Sequence, residues 1–374
     1  DAILADLNTP LDAVVALDAD HDVLMERMKK RAEIEGRSDD TPEAIAKRLD
    51  VYAKETAPLL ATYEERQREY QEWEARTRSE SHWPAEMRDG VRVSVHANLE
   101  RLEEMDELQA SGAEGVGLYR TEFSFLREHL PSEEELYAEY SAVARKAAPA
   151  HVVFRTLDAG ADKMLRAQEA LKEPNPALGL RGIRNSLRNP RQFETQICAL
   201  MRAAARGPLR VMFPMVTDVE DWDAAMEVVE RCRQRLRERG VSFNEDTSFG
   251  VMLSVPSACL TAEEFVAHGC GFFVIGTNDL TQYTHAVDRE LAPAEHYYRP
   301  ASKAMKKLIR MVMGAAKQGS VPVTICGLAV GNPANATQYL QLGLRSFSMS
   351  PQNLLEAKKA LLEADALPEE EELE

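Results

Sequence analysis

At 374 residues the chain is too long for one ordinary domain, although a (β/α)8 barrel alone takes about 250 residues. Hydrophobic residues make up 44% and charged residues 29%, the balance of a soluble protein with a large core. Sixty-two acidic side chains against 45 basic ones leave a net charge of −17. That field repels nucleic acid and anionic membrane, so an anionic ligand has to be held by a local cluster of arginines.

No run approaches the roughly 20 apolar residues that cross a bilayer. The opening residues show no basic-then-apolar targeting pattern. The five cysteines (Cys198, Cys232, Cys259, Cys270, Cys326) are scattered, odd in number and free of any CxxC pair. This usage fits a reducing cytoplasm and argues against a zinc site or a disulfide framework.

In chain order, Leu11–Leu17 reads as a short apolar strand inside an already folded unit, and 20–35 has helical periodicity up to the breaker at Gly36. A second helix starts at Asp40-Thr-Pro-Glu43, with Pro42 in its first turn. From 62 to 78 the chain is highly charged with few apolar anchors, the pattern of an exposed connecting helix, and 79–90 forms a boundary loop around Pro84.

Strand and helix then alternate. The predicted strands are 91–98, 115–120, 152–158, 209–216, 250–256, 272–279, 321–327 and 346–350, and the helices between them include 99–110, 191–206, 219–239 and 304–317. The strands are largely apolar, as strands covered on both faces should be. Eight of them suit a closed (β/α)8 TIM barrel of the α/β class better than the runner-up, an open doubly wound sheet. The glycine- and arginine-broken run Leu178–Arg184 is placed in a loop. No phosphate-binding GxGxxG or GxxxxGK[ST] loop supports a nucleotide-binding sheet.

Active sites of such barrels lie at the C-terminal ends of the strands. The polar residues there are Arg120, Arg155, Ser254, Asn278, Asp279 and Cys326, and Arg181 and Arg289 follow in loops. Guanidinium forks bind phosphate and carboxylate bidentately, so four of them on one rim read as an anion pocket. The competing reading pairs these arginines with barrel acids such as Glu122, Asp158 and Asp288.

These residues sit in blocks that resemble a known family. Gly-Val-Gly-Leu-Tyr-Arg-Thr-Glu-Phe (115–123), Arg-Thr-Leu-Asp-Ala-Gly-Ala-Asp-Lys (155–163) and Asn-Pro-Ala-Leu-Gly-Leu-Arg-Gly-Ile-Arg (175–184) look like Enzyme I of the bacterial sugar phosphotransferase system. So do Ile-Gly-Thr-Asn-Asp-Leu-Thr-Gln-Tyr-Thr (275–284), Ala-Val-Asp-Arg (286–289) and Phe-Ser-Met-Ser-Pro (347–351), in the family's order. The resemblance implies a cytoplasmic phosphotransferase that binds phosphoenolpyruvate, yields pyruvate, uses Mg²⁺ and dimerises through its barrel. It assigns Arg120, Arg155, Arg181, Arg289, Asn278 and Lys163 to the ligand, Asp279 to the metal and Cys326 to protonation of the enolate carbon.

Three departures point to impairment. Ser254 stands where the family has a second metal carboxylate. Cys326-Gly-Leu328 lacks the glutamate of a Cys-Gly-Glu motif, with Asn332 in place of a later aspartate. No histidine lies in the phosphohistidine context Thr-Ser-His, so a chain of these residues alone would not relay phosphate to a carrier protein. The alternative is a non-catalytic sensor or scaffold that keeps the pocket.

Residues 1–64 resemble something else, the C-terminal part of a short-lid adenylate kinase. The likeness rests on Pro10–Asp18, Glu26–Arg31, Gly36–Asp40 and Lys47–Tyr52, without that family's phosphate loop. The expected organisation is a kinase-like fragment over 1–64, a connecting helix and loop over 65–92, and the phosphoenolpyruvate-binding barrel over 93–374.

Overall fold

A computed structural model describes residues 90–127, 129–159 and 173–364, with Met87 and a few isolated positions before it. The kinase-like fragment and Lys163 lie outside the described residues. The chain divides into two compact units, Asp1–Ser79 and Glu80–Glu374. The second unit is described below.

Eight strands form it: β1 (Ser94–Leu99), β2 (Val116–Arg120), β3 (Val152–Arg155), β4 (Leu209–Phe213), β5 (Ser248–Leu253), β6 (Phe273–Gly276), β7 (Val323–Cys326) and β8 (Ser346–Met349). They pair in parallel in chain order, and β8 closes on β1 through Ser94–Ser346 to Ala97–Met349. Closure removes both sheet edges and settles the choice between barrel and open sheet. Helices α1 (Met105–Ser111), α2 (Glu122–Phe125), α3 (Glu133–Ala147), α4 (Ile183–Arg188), α5 (Pro190–Ala203) and α6 (Val219–Glu238) cover the first half. The second half carries α7 (Pro256–Leu260), α8 (Ala262–Ala267), α9 (Thr277–His285), α10 (Lys303–Gly319), α11 (Pro333–Gln341) and α12 (Pro351–Glu363).

Side chains alternate across each strand, and this sorts the core into two bodies. Leu118, Val153, Met212, Met252, Val274 and Cys326 pack together inside the barrel. Tyr119, Phe154, Phe213, Leu253, Phe273 and Phe347 belong to the larger layer between strands and helices. In that layer Phe213 stacks on Phe249 with centroids 5.7 Å apart and meets Phe193 and Trp222 at 5.8 Å each. Aromatic pairs at this spacing add to the stability given by area burial alone.

All eight expected strands are present, each shorter than its apolar run. The run 272–279 splits: β6 stops at Gly276, and Thr277, Asn278 and Asp279 open helix α9. The helix expected over 99–110 starts only at Met105, because Glu104 Oε2 accepts from the backbone N–H of Glu100 at 2.7 Å and of Arg101 at 3.2 Å and holds a turn there. The run placed in a loop, Leu178–Arg184, is not a strand, but it is only partly loop. Pro176–Leu178 forms a 3-10 turn, and buried Ile183 begins α4. Gly182 makes the change of direction at φ +57°, where a β-carbon would lie 2.8 Å from Met215 Cβ.

Candidate active site at the C-terminal rim of the barrel

Strand periodicity places the first polar groups. Arg120, Arg155 and Ser254 each come two residues after an interior apolar side chain, Leu118, Val153 and Met252, and so continue the inward face beyond the apolar plug. Cys326 ends β7 on that same face. Asn278 and Asp279 arrive in the first turn of α9, directly after β6. All six line one cavity of about 570 Å³ together with Arg181 and Arg289. Every described residue that the sequence assigned to the site is therefore brought together.

The cavity is not the cationic pocket that four arginines suggest, because six carboxylates line it as well. Arg120 pairs with Glu100. Arg155 reaches Glu122 and Asp158 at 2.9 Å each. Arg181 bridges Asp158 at 2.8 Å and Asp279 at 3.1 Å, and Arg289 takes the other oxygen of Asp279 at 3.1 Å. The competing reading from sequence thus holds for Glu122 and Asp158, while Asp288 lines the cavity without an ion pair among the described residues.

Burial divides the arginines into two kinds. The side chains of Arg155 and Arg181 are 12% and 15% exposed, and each spans two acids. Burial alone would lower their pKa, but the facing carboxylates overrule it and hold both guanidinium groups firmly charged. Burial likewise pushes Asp158 up, yet Arg155 and Arg181 win and keep its carboxyl below the usual range. Arg120 and Arg289 are 32% and 31% exposed and ion-pair through Nη1 only. Their remaining nitrogens are the cavity's disposable donors.

Around Cys326, Thr277 Oγ1 donates to its carbonyl at 2.9 Å, and burial pushes the thiol up to about 11 against the pull of Arg120 and Arg155. The group is a protonated thiol at neutral pH. Asn278 Oδ1 accepts from the Leu328 N–H at 2.9 Å, which ties α9 to the turn after β7.

Sequence reasoning missed two contributors. Glu100, just past β1, is the partner of Arg120, and inspection of strand ends for acids as well as bases would have found it. Tyr283 accepts from Arg181 Nη1 at 3.4 Å and donates to the Ala177 carbonyl. It lies four residues after Asp279 on α9, hence on the same helix face.

Of the two carboxylates that the family resemblance expects around magnesium, the chain has Asp279 alone. Asp279 has both oxygens held by arginines, and the position expected to supply a second carboxylate is the neutral hydroxyl of Ser254. Among the described residues no group of three or more His, Cys, Asp or Glu side chains could hold a metal. Mg²⁺ favours carboxylate, phosphate and water oxygens in a near-octahedral arrangement, and a hydroxyl at 254 in place of a carboxylate makes the residues present a poorer fit for it.

The family described as "PEP-utilising enzyme, PEP-binding domain" matches residues 74–366. A phosphoenolpyruvate-protein phosphotransferase of Cupriavidus necator is 38% identical over 313 residues, covering 83% of this chain and 53% of that protein. One from Haemophilus influenzae is 40% identical over 279 residues, covering 74% and 48%. The chain spans about half the length of the curated relatives it matches. A solved HpcH/HpaI aldolase/citrate lyase family protein of Burkholderia cenocepacia superposes with a TM-score of 0.44 at 15% identity, over 75% of this chain and 95% of that one. The chain belongs to the PEP-utilising enzymes, whose PEP-binding domain its barrel forms.

Proposed function

We propose that this chain is the phosphoenolpyruvate-binding barrel of a phosphoenolpyruvate-protein phosphotransferase, with its catalysis impaired. The observation that carries the reading is the convergence of Arg120, Arg155, Arg181 and Arg289 on one cavity beside Cys326. Arg120 and Arg289 offer their outer nitrogens to the phosphate and carboxylate of phosphoenolpyruvate, while Arg155 and Arg181 keep the acids around them charged and in place. Asn278 sits at the phosphate and Lys163 is assigned to the same ligand. The Cys326 thiol, protonated at neutral pH, supplies the proton that turns the enolate of pyruvate into pyruvate. In the whole protein the phosphoryl group passes to a protein histidine.

Family membership supports Mg²⁺ as the ion such barrels use, and Ser254 is the reason for a weakened site and a slow reaction here. Among the described residues no helix is long and apolar enough to cross a membrane. A cytoplasmic homodimer joined through the barrel belongs to the same reading, as does the division into a non-catalytic kinase-like fragment (1–64), a connecting stretch (65–92) and the barrel (93–374).

The second reading is a sensor that binds phosphoenolpyruvate or pyruvate and transfers nothing, and Ser254 together with the excess of carboxylates favours it. Calorimetric titration of the chain with phosphoenolpyruvate tests the binding common to both. Saturable heat is expected, and it should be lost in Arg120→Ala. No heat at millimolar ligand would refute both. Release of pyruvate in the presence of a histidine-bearing phosphoryl acceptor protein separates the enzyme from the sensor.

A further inference from the structure

One group in the cavity has no explanation so far. Ser254 is 1% exposed, lies on the inward face two residues beyond Met252, and its Oγ has no hydrogen-bond partner among the described residues. A buried hydroxyl left unpaired is costly, and native proteins keep few of them. The atom lies 2.8 Å from the point where a β-carbon on Gly276 would stand, with Met252 Sδ 3.3 Å from the same point. Arg155 Nη1 approaches the same sulfur at 3.9 Å. Met252, Ser254 and Arg155 all line the cavity.

Gly276 is also the N-cap of α9, a nine-residue helix whose first turn receives no side-chain cap. The leading N–H groups of a helix have no intrahelical acceptor, and the helix dipole adds partial positive charge at that end. The orphaned hydroxyl therefore lies beside the uncapped helix start, and both lack a side-chain acceptor. A metal ion has no lone pair to accept from these donors, and the carboxylates Glu100, Glu122, Asp158 and Asp279 are already ion-paired with the cavity's arginines. An oxyanion satisfies both donors.

We propose that Ser254 is a direct ligand of the bound anion, donating its hydroxyl hydrogen to a phosphate or carboxylate oxygen seated at the start of α9, and that the barrel binds this anion without a divalent metal. The ligand class is a small diacid that carries two oxyanion groups, one at the start of α9 and one at the outer nitrogens of Arg120 and Arg289. This rests on the reading of the cavity as a phosphoenolpyruvate site. The chemistry is hydrogen bonding alone: the serine proton remains on Oγ and no bond is broken.

The test is calorimetry on the full chain with phosphoenolpyruvate as the probe, once with EDTA and once with excess Mg²⁺. The two dissociation constants are expected to agree within about threefold, and Ser254→Ala should weaken binding about tenfold in both buffers, the loss of one hydrogen bond to a charged group. Near-UV circular dichroism shows whether the variant keeps its fold, and oxalate, a dicarboxylate without a phosphoryl group, titrated in parallel with EDTA present, is expected to bind as well. Binding that appears only with Mg²⁺ overturns the inference and leaves the phosphoenolpyruvate reading standing. Unchanged affinity in a folded Ser254→Ala does the same. Absence of binding in both buffers overturns the reading and the inference together.

Discussion

Arg181 holds Asp158 in a two-point fork, with Nε 3.0 Å from Oδ1 and Nη2 2.8 Å from Oδ2. The Asp158 side chain is 1% exposed, so the fork stabilises a carboxylate that water barely reaches. Arg155 also pairs with Asp158 at 2.9 Å, so removing Arg181 leaves that carboxylate one partner and costs less than the about 3–5 kcal/mol of a fully broken buried pair. Arg181→Ala should therefore lower the unfolding free energy by about 2–3 kcal/mol while also weakening ligand binding, whereas Tyr283→Phe, which removes the 3.4 Å contact to Arg181 and the hydrogen bond to the Ala177 carbonyl, should cost about 1–2 kcal/mol. Chemical denaturation of both variants checks the ordering. A larger loss in Tyr283→Phe would show that the fork is not what holds this rim together.

Ser254→Glu supplies the second metal carboxylate that the family resemblance expects at that position. A unit charge pair at ~4 Å and an effective dielectric of ~20 is worth roughly 4 kcal/mol, on the order of a thousandfold in affinity before solvent softens it. The expected outcome is a gain in phosphoenolpyruvate affinity that depends on Mg²⁺ and vanishes with EDTA. If calorimetry finds no gain, a missing carboxylate is not the reason the metal site is incomplete.

Acid should destabilise the barrel from its other end. Burial, then His151 and Arg210, depress His96 from the ordinary 6.5 to about 3, and its Nδ1 lacks a partner. The depressed value favours the neutral ring in the folded state. This contribution is therefore complete above pH 6.5, where the unfolded chain is also neutral, and is lost as pH falls from 6.5 toward 3. A single such group forfeits about 2 kcal/mol between pH 6.5 and 5. Thermal melting across that range should show a steep fall in the parent chain and a shallower one in His96→Asn. Parallel curves would remove His96 as the cause.

Gly182→Ala strains the residue that aims Arg181. The backbone sits at φ +57°, and the added methyl would lie 2.8 Å from Met215 Cβ, itself in a positive-φ residue. Strain of this kind costs on the order of 1–3 kcal/mol. The variant should melt lower and bind phosphoenolpyruvate more weakly, because Ile183 and Arg181 cannot both stay in place. A variant that loses stability but binds normally would show that the loop relaxes without moving the guanidinium.

Polar residues that interrupt the ends of apolar runs single out Arg120, Arg155 and Ser254 in the sequence, while their inward direction follows from the strand alternation seen in the structure. Arg181 and Arg289 are placed by the sequence in loops after strands, and their sequence blocks single them out further, since loops carry no periodic signal. Asn278 and Asp279 were read as the end of a strand and stand at the start of α9, because Ile275-Gly-Thr-Asn-Asp279 is as compatible with one as with the other until Gly276 breaks the sheet. Tyr283 and Glu100 went unread because their roles exist only toward partners distant in sequence, 102 residues away for the contact of Tyr283 with Arg181.

The sequence by itself determined a closed α/β barrel with arginines, one aspartate, one serine and one cysteine on its C-terminal rim, since periodicity, apolar runs and family blocks are all local properties of the chain. Only the tertiary structure decided which guanidinium groups are committed to internal carboxylates and which remain for a ligand. Such pairing depends on distances between strands far apart in sequence, as when Arg181 meets Asp279 across 98 residues. The physical reason is that a charge is spent or spare according to what lies within about 4 Å of it, and no stretch of sequence contains that neighbourhood.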